Sequence, residues 1–474
     1  MTSNGTSNLI ARKILFTLIF TQILLPIDIF AANFTVTKTS DTYPTGKSGE
    51  LRWAIQQVNK SSGTSQILFK IPGTGPFTIK PVKDLDSITR PVTINGYSQP
   101  GATANTLATG NNAHLLIVLS GNNYKTGNAY QGSGNGLFFS QGSDGSIVKG
   151  LVISTWINTG IMIYNANNIR ILGNFIGTNP TGSAQLANQA GIFIESGSNT
   201  TIGSSHSADR NIIAGSFFFF NESSCIVADN SQGTVIKGNY IGTNAAGTAK
   251  LGNSLSGITC SASNNTTIGG TTLAERNVIS GHVIVGITIE SSSNAQIMRN
   301  YIGTNVSGTK ALGNSNEGIA ISGSGIANSA INNRIINNII SGNNIGIKLG
   351  SLSSTGANKN TIQNNLIGTD YTGKIGLPNN YGIVINDNGN TIGGNTSSNH
   401  NIISANKIGG ILVYGGAQNN VIQYNYIGLN AATKPLTNGY GIQLGLPGGK
   451  GAAANNAIAN NSFGGGNKII NIYS

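Results

Sequence analysis

Charge is scarce in this chain. Only 9% of its residues are Asp, Glu, Lys or Arg, well under the quarter that ordinary globular domains carry. With 38% hydrophobic residues it is too apolar for a disordered chain. Leu periodicity and runs of helix formers are absent, which excludes leucine-rich and ankyrin-type helical repeats. Cysteine is limited to Cys225 and Cys260, so a disulfide scaffold is excluded. After residue 31 no stretch is long and apolar enough to span a bilayer. Acids number 15 against 27 bases, and no two acids are adjacent. From Ala330 onward there are eight Lys and Arg but only Asp370 and Asp387. A basic surface built this way favours polyanions such as acidic polysaccharide over a nucleic acid, for which no reader motif is present.

What is present is glycine, 66 of 474 residues, and repetition. Ile-Gly-Thr-Asn or a close variant begins at Ile176, Ile241, Ile302, Ile367 and Ile427, at steps of 65, 61, 65 and 60 residues. A second phrase, Gly-Ile-x-Ile, recurs twice per unit, at Gly160, Gly191, Gly257, Gly286, Gly318, Gly346, Gly382, Gly410 and Gly441, with Cys225 standing in the glycine slot once. A third marker, Asn followed by an apolar residue and Ile, comes once per turn, from Asn174 to Asn425, with Asn-Ser-Phe at Asn461. Each turn of about 31 residues therefore holds short alternating strands joined at Asn and Gly. One such turn buries too little to stand alone, so the turns must stack. The pattern predicts an all-β, right-handed parallel β-helix of roughly ten or more rungs.

The ends differ from the middle. Residues 1–31 read as a secretory signal peptide, with Arg12 and Lys13 before the apolar run Ile14 to Phe30. A membrane anchor is the competing reading, against which Pro26 and Asp28 count. Residues 32–110 read as an N-terminal cap and first rungs. There Leu51, Ala54, Ile55 and Val58 have helical spacing, and Phe34–Thr37, Ile67–Phe69, Phe77–Ile79 and Val92–Ile94 read as strands. The repeats run over 111–463, and 464–474 is a C-terminal cap or tail.

This arrangement resembles the secreted bacterial right-handed β-helix repeat proteins of the pectin-lyase-like superfold. Asn239 to Asn244 and Pro91-Val92-Thr93-Ile94-Asn95-Gly96-Tyr97 carry the resemblance. Leu51-Arg52-Trp53-Ala54-Ile55 is similar to the core of the CSLREA-type N-terminal motif, with Trp53 where Glu is usual and no cysteine. The resemblance implies the fold, export and an extracellular, cell-surface or periplasmic location. It implies no reaction, since one fold hosts many functions. Enzymes of this superfold act on polysaccharides with clustered carboxylates, but neither a polygalacturonase-like Asp-Asp pair with Gly-His-Gly nor the Asp-Pro-His-Asp of alginate-modifying relatives occurs here.

Neighbouring rungs can still assemble a site. Four residues after each glycine of Gly-Ile-x-Ile, an outward column reads Tyr164, Glu195, Asp229, Ser261, Glu290, Ser322. Glu195 and Asp229 fall about 5 Å apart on adjacent rungs, and with Glu290 they are the candidate catalytic residues. Such a pair raises its own pKa values or binds a cation, for which Ca2+ is suited. No other cofactor and no dedicated metal site is expected. A second column, containing Phe175, Tyr240, Tyr301 and Tyr426, suits stacking on sugar rings if it faces out; if the inserts fold over it, it is covered. Arg210 and Arg276, each after an acid at matching positions, read as structural braces. The two cysteines sit on adjacent rungs but three residues apart along the strand, about 10 Å and too far to pair. The reading that follows is a secreted glycan-binding or adhesive rod. A polysaccharide lyase or hydrolase, and a purely structural extracellular protein, are the alternatives.

Overall fold

In a computed structural model, residues 32–471 are described, except 122–133, 216–223, 253–254, 325–328, 352–355, 415 and 446–452. The expected leader, 1–31, lies outside the described residues. Every strand of the three long sheets pairs in parallel with strands one turn away in sequence, giving sheets of 14, 13 and 12 strands. The protein is a parallel β-helix. At about 4.8 Å per rung its longest sheet extends about 60 Å. Among the described residues no helix is long and apolar enough to cross a membrane.

The coil forms because alternate residues point inward and match from rung to rung. In the third sheet Ile192 pairs with Ile226, and Ile226 with Ile258, and the column continues through Ile287 and Ile319. All five are fully buried. Ile176, Ile241, Ile302, Ile367 and Ile427 form a like column in the second sheet, also with no exposure. Isoleucine suits both tasks: it favours extended backbone, and its branched side chain fills the space between rungs.

The corner between the first and second sheets is an asparagine ladder. Asn174, Asn211, Asn239, Asn277, Asn300, Asn338, Asn365, Asn401 and Asn425 are fully buried. After Asn174, whose Oδ1 accepts from Leu151 N–H, each Oδ1 accepts the backbone N–H of the ladder residue one rung before, as from Asn300 to Asn338 at 2.8 Å. Each Nδ2 donates to a backbone carbonyl of the preceding rung, as from Asn338 to Ile297 at 2.8 Å. Two further ladders were not evident in the sequence. One runs through Asn314, Asn343, Asn379, Asn406, Asn438 and Asn467, the other through Asn333, Asn360, Asn390, Asn420 and Asn456.

The Ile-Gly-Thr-Asn phrase marks where an insert leaves the rod. Gly177 has φ +76, and a Cβ there would meet the Ala214 carbonyl oxygen at 1.8 Å, so only glycine fits. The Asn then closes the insert: Asn244 Oδ1 accepts the N–H groups of Thr248 and Ala249 at 2.9 and 3.2 Å. Successive inserts bond to each other, Ala245 N–H to Gly182 O and Val306 N–H to Gly247 O, both at 2.9 Å. They form a ridge along the second sheet.

The expected helix is present at Leu51–Lys60. Arg52 is 1% exposed and holds both carboxylate oxygens of Asp41 at 2.8 Å, with further donation to Asp84 O and Lys83 O. The arginine of the Leu-Arg-Trp-Ala-Ile segment is thus a structural tie. At the far end, Ile469–Asn471 adds a strand to the third sheet.

Ala228 pairs with Cys260, so Cys225 stands three residues off, and both thiols are buried and not joined to each other. Burial pushes the Cys260 thiol up to about 12. A thiol reagent should therefore find no reactive cysteine in the native rod at pH 8 and two after denaturation. Native labelling of either residue would contradict this packing.

Candidate functional site

The register of the third sheet brings the acid column together. Tyr164 pairs with Glu195, Glu195 with Asp229, Asp229 with Ser261, Ser261 with Glu290 and Glu290 with Ser322. Cys225 does take the glycine slot, because Ile192 and Ile226 are partners. Glu195 and Asp229 are half-buried and adjacent, whereas Glu290 is exposed and separated from Asp229 by the Ser261 rung. Among the described residues no three His, Cys, Asp or Glu side chains converge to hold a metal ion.

Farther along the same face lies a feature the sequence did not reveal. Ile345, Lys348, Tyr381, Val384, Asn386, Leu412 and Tyr414 line a cleft of about 130 Å³. Lys348 projects from the outward mid-strand column and pairs with Glu317 at 3.0 Å. Tyr381 flanks it on the strand side, and Tyr414 lies one rung on at the strand end. Tyr440 lies beside them: burial, with Tyr381 and Tyr414 nearby, holds its phenol above the usual range. Among the described residues the buried Oη of Tyr440 and Oδ1 of Asn386 have no hydrogen-bond partner, and a buried polar atom without a partner is costly. Tyr381 and Tyr440 stand in the slot before the glycine, which has no fixed residue type and elsewhere holds Thr159, Ala190, Ser224, Ser256, Val285, Glu317, Ile345 or Gly409, so no repeat phrase marks them.

The second column is a correction. Phe175, Tyr240 and Tyr301 are 1%, 3% and 5% exposed, so they are not open stacking platforms. They join Leu115, Val118, Val152, Ile212, Val278 and Ile339 in a second apolar cluster outside the coil. The insert ridge covers it; Gly182 lies against the Phe175 ring, and Gly247 against Tyr240 and Val306. Tyr426 is half-buried, with the His400 ring stacked on it at 4.3 Å. The physical reason is that outward aromatics on this sheet bury more apolar area under a stacked ridge than they would in water.

No protein-family model matches the chain, and no curated protein matches it. Solved structures do. The mannuronan C-5 epimerase AlgE6 A-module of Azotobacter vinelandii is 13% identical, covering 90% of this chain and 91% of that one with a TM-score of 0.46. The Dettilon tailspike protein is 15% identical over 85% of this chain and 66% of its own, at 0.41. An alginate lyase from Paenibacillus sp. is 16% identical over 69% and 92%, at 0.34. At such identities no residue role carries over.

Proposed function

We propose that this protein is an exported glycan-binding rod whose carbohydrate lies along the outer face of the third sheet. The observation that carries this reading is the cleft of Tyr381, Tyr414 and Lys348, bordered by the unpartnered polar atoms of Asn386 and Tyr440. Sugars present apolar ring faces and hydroxyls together. Aromatic rings beside unsatisfied polar atoms meet both needs. The third sheet repeats the same register rung after rung, which suits an extended polymer rather than a compact ligand.

The test is binding to a glycan array, followed by calorimetry on the best sugar. Tyr381→Ala and Tyr414→Ala should each weaken binding roughly tenfold, the usual scale for losing an aromatic contact. An empty array, or full affinity in both variants, sinks the reading.

A second reading is a polysaccharide lyase or hydrolase using Glu195, Asp229 and Glu290. Its support is the adjacency of Glu195 and Asp229 in one half-buried column. New reducing ends released by the wild type but not by Glu195→Gln or Asp229→Asn would establish it. Adding and chelating Ca2+ in the same assay tests the cation expectation.

A further inference from the structure

Arg210 and Arg276 follow an acid at equivalent repeat positions, yet the fold makes them unequal. Arg210 is 7% exposed and braces the loop before the first repeats. It donates to the carbonyls of Leu107, Ala108 and Gly110 at 3.0, 2.8 and 2.5 Å. Among the described residues Arg276 holds no such loop. Its Nε donates to Arg299 O at 3.2 Å, and its guanidinium lies 3.9 Å from the Tyr301 ring centre. Arg210 lies likewise over Tyr240, at 4.8 Å.

Between them opens a cleft of about 520 Å³ that Arg210 and Arg276 line with Tyr240, Thr106, Thr109 and Leu273. No carboxylate lines it. The acids beside the arginines in sequence are engaged elsewhere, Asp209 with Ser204 at 2.6 Å and Glu275 with Lys237 at 3.0 Å. Among the described residues neither arginine pairs with an acid. The Arg210 Nε is buried and has no hydrogen-bond partner among the described residues. A cation taken this far from water without a counter-ion is costly, and an anion in the cleft would offset that cost.

We propose that this cleft, on the second-sheet side of the rod, binds an acidic sugar residue through Arg210 and Arg276. The guanidinium donors meet its carboxylate or sulfate. The threonine hydroxyls and the 66%-exposed Leu273 at the rim meet its ring. The volume is too large for a lone ion and takes at least one sugar unit. The site deepens the glycan-binding reading and rests on it, but it uses none of the third-sheet residues.

The experiment is calorimetry of the full chain with four probes: a polyuronate oligosaccharide, a sulfated oligosaccharide, a neutral oligosaccharide and inorganic phosphate. Arg276→Gln is the informative variant, because Arg276 holds no loop; Tyr381→Ala is the comparison. Expected is binding of one or both acidic oligosaccharides, weakened about tenfold or more by Arg276→Gln and weakened by added salt. Which acidic probe binds tells carboxylate from sulfate. Equal binding of the neutral oligosaccharide, or unchanged acidic binding in Arg276→Gln, overturns the cleft. Phosphate binding as tightly as the sugars, with the same loss in Arg276→Gln, overturns the sugar assignment. If Tyr381→Ala loses binding and Arg276→Gln does not, the cleft fails while the third-sheet reading stands. If no oligosaccharide binds, both fail.

Discussion

Replacing Asn338 by Ala will destabilise the middle of the rod by about 4 kcal/mol. Asn338 has no exposed surface. Its Oδ1 accepts from Asn300 N at 2.8 Å and from Asn300 Nδ2 at 3.1 Å. Its Nδ2 donates to Ile297 O, Ile336 O and Asn365 Oδ1 at 2.8, 3.2 and 3.1 Å. Alanine removes all of these and leaves buried backbone groups without partners, at about 1–3 kcal/mol each, beside a small cavity. In a stacked repeat each rung leans only on its neighbours, so the damage is local. Hydrogen exchange should accelerate in the rungs of Asn300 and Asn365 before distant ones. Asn461, at the partly exposed end of the same ladder, accepts from Asn425 N and has no ladder residue beyond it among the described residues. Asn461→Ala should cost clearly less. Equal losses at the two positions would mean that the ladder does not stabilise the interior rungs as described.

The second large effect is on pH. His282 is fully buried and stands before Asn314 in a ladder, donating its backbone N–H to Asn314 Oδ1 at 3.2 Å. Burial lowers its pKa from 6.5 to about 4, and the charge of Lys250 acts in the same direction. The unfolded chain therefore takes up the proton first as pH falls. Stability from this group is complete above pH 6.5 and is lost as pH drops toward 4, by about 3 kcal/mol in all. His282→Asn would place the ladder's own residue there. It should flatten the fall between pH 6.5 and 4.5, a window above the range where Glu50 and Glu275, both held below the usual carboxylate value by hydrogen bonds that outweigh their burial, take up protons. Denaturation curves of the two proteins at pH 7 and 4.5 measure this. Parallel losses in both would remove His282 as the cause.

The acid column and the aromatic column show how far a repeat can be read. Glu195 and Asp229 were assigned to one outward column from spacing, and the strand register agrees. Local alternation suffices there, because a strand's side chains have only two faces. For Tyr240 and Tyr301 the same reasoning correctly points outward from the coil, yet they are buried. What covers them is the insert ridge, whose bonds join residues about sixty positions apart, such as Val306 to Gly247. The Lys348–Tyr381–Tyr414 cleft escaped for a related reason. Its members come from three turns, and the tyrosines fill slots whose residue type varies from rung to rung.

By itself the sequence determined the coil: its period, its isoleucine columns, the first asparagine ladder, the capping helix and the separation of Cys225 from Cys260. These are decided by short-range alternation and a regular step, and every turn repeats them. Only the tertiary structure decided which outward residues meet solvent, where Arg210 and Arg276 face a cleft without acids, and which polar atoms are left unpartnered. Those outcomes depend on where irregular inserts settle on a regular rod, and inserts pack by contacts between turns that no local spacing encodes.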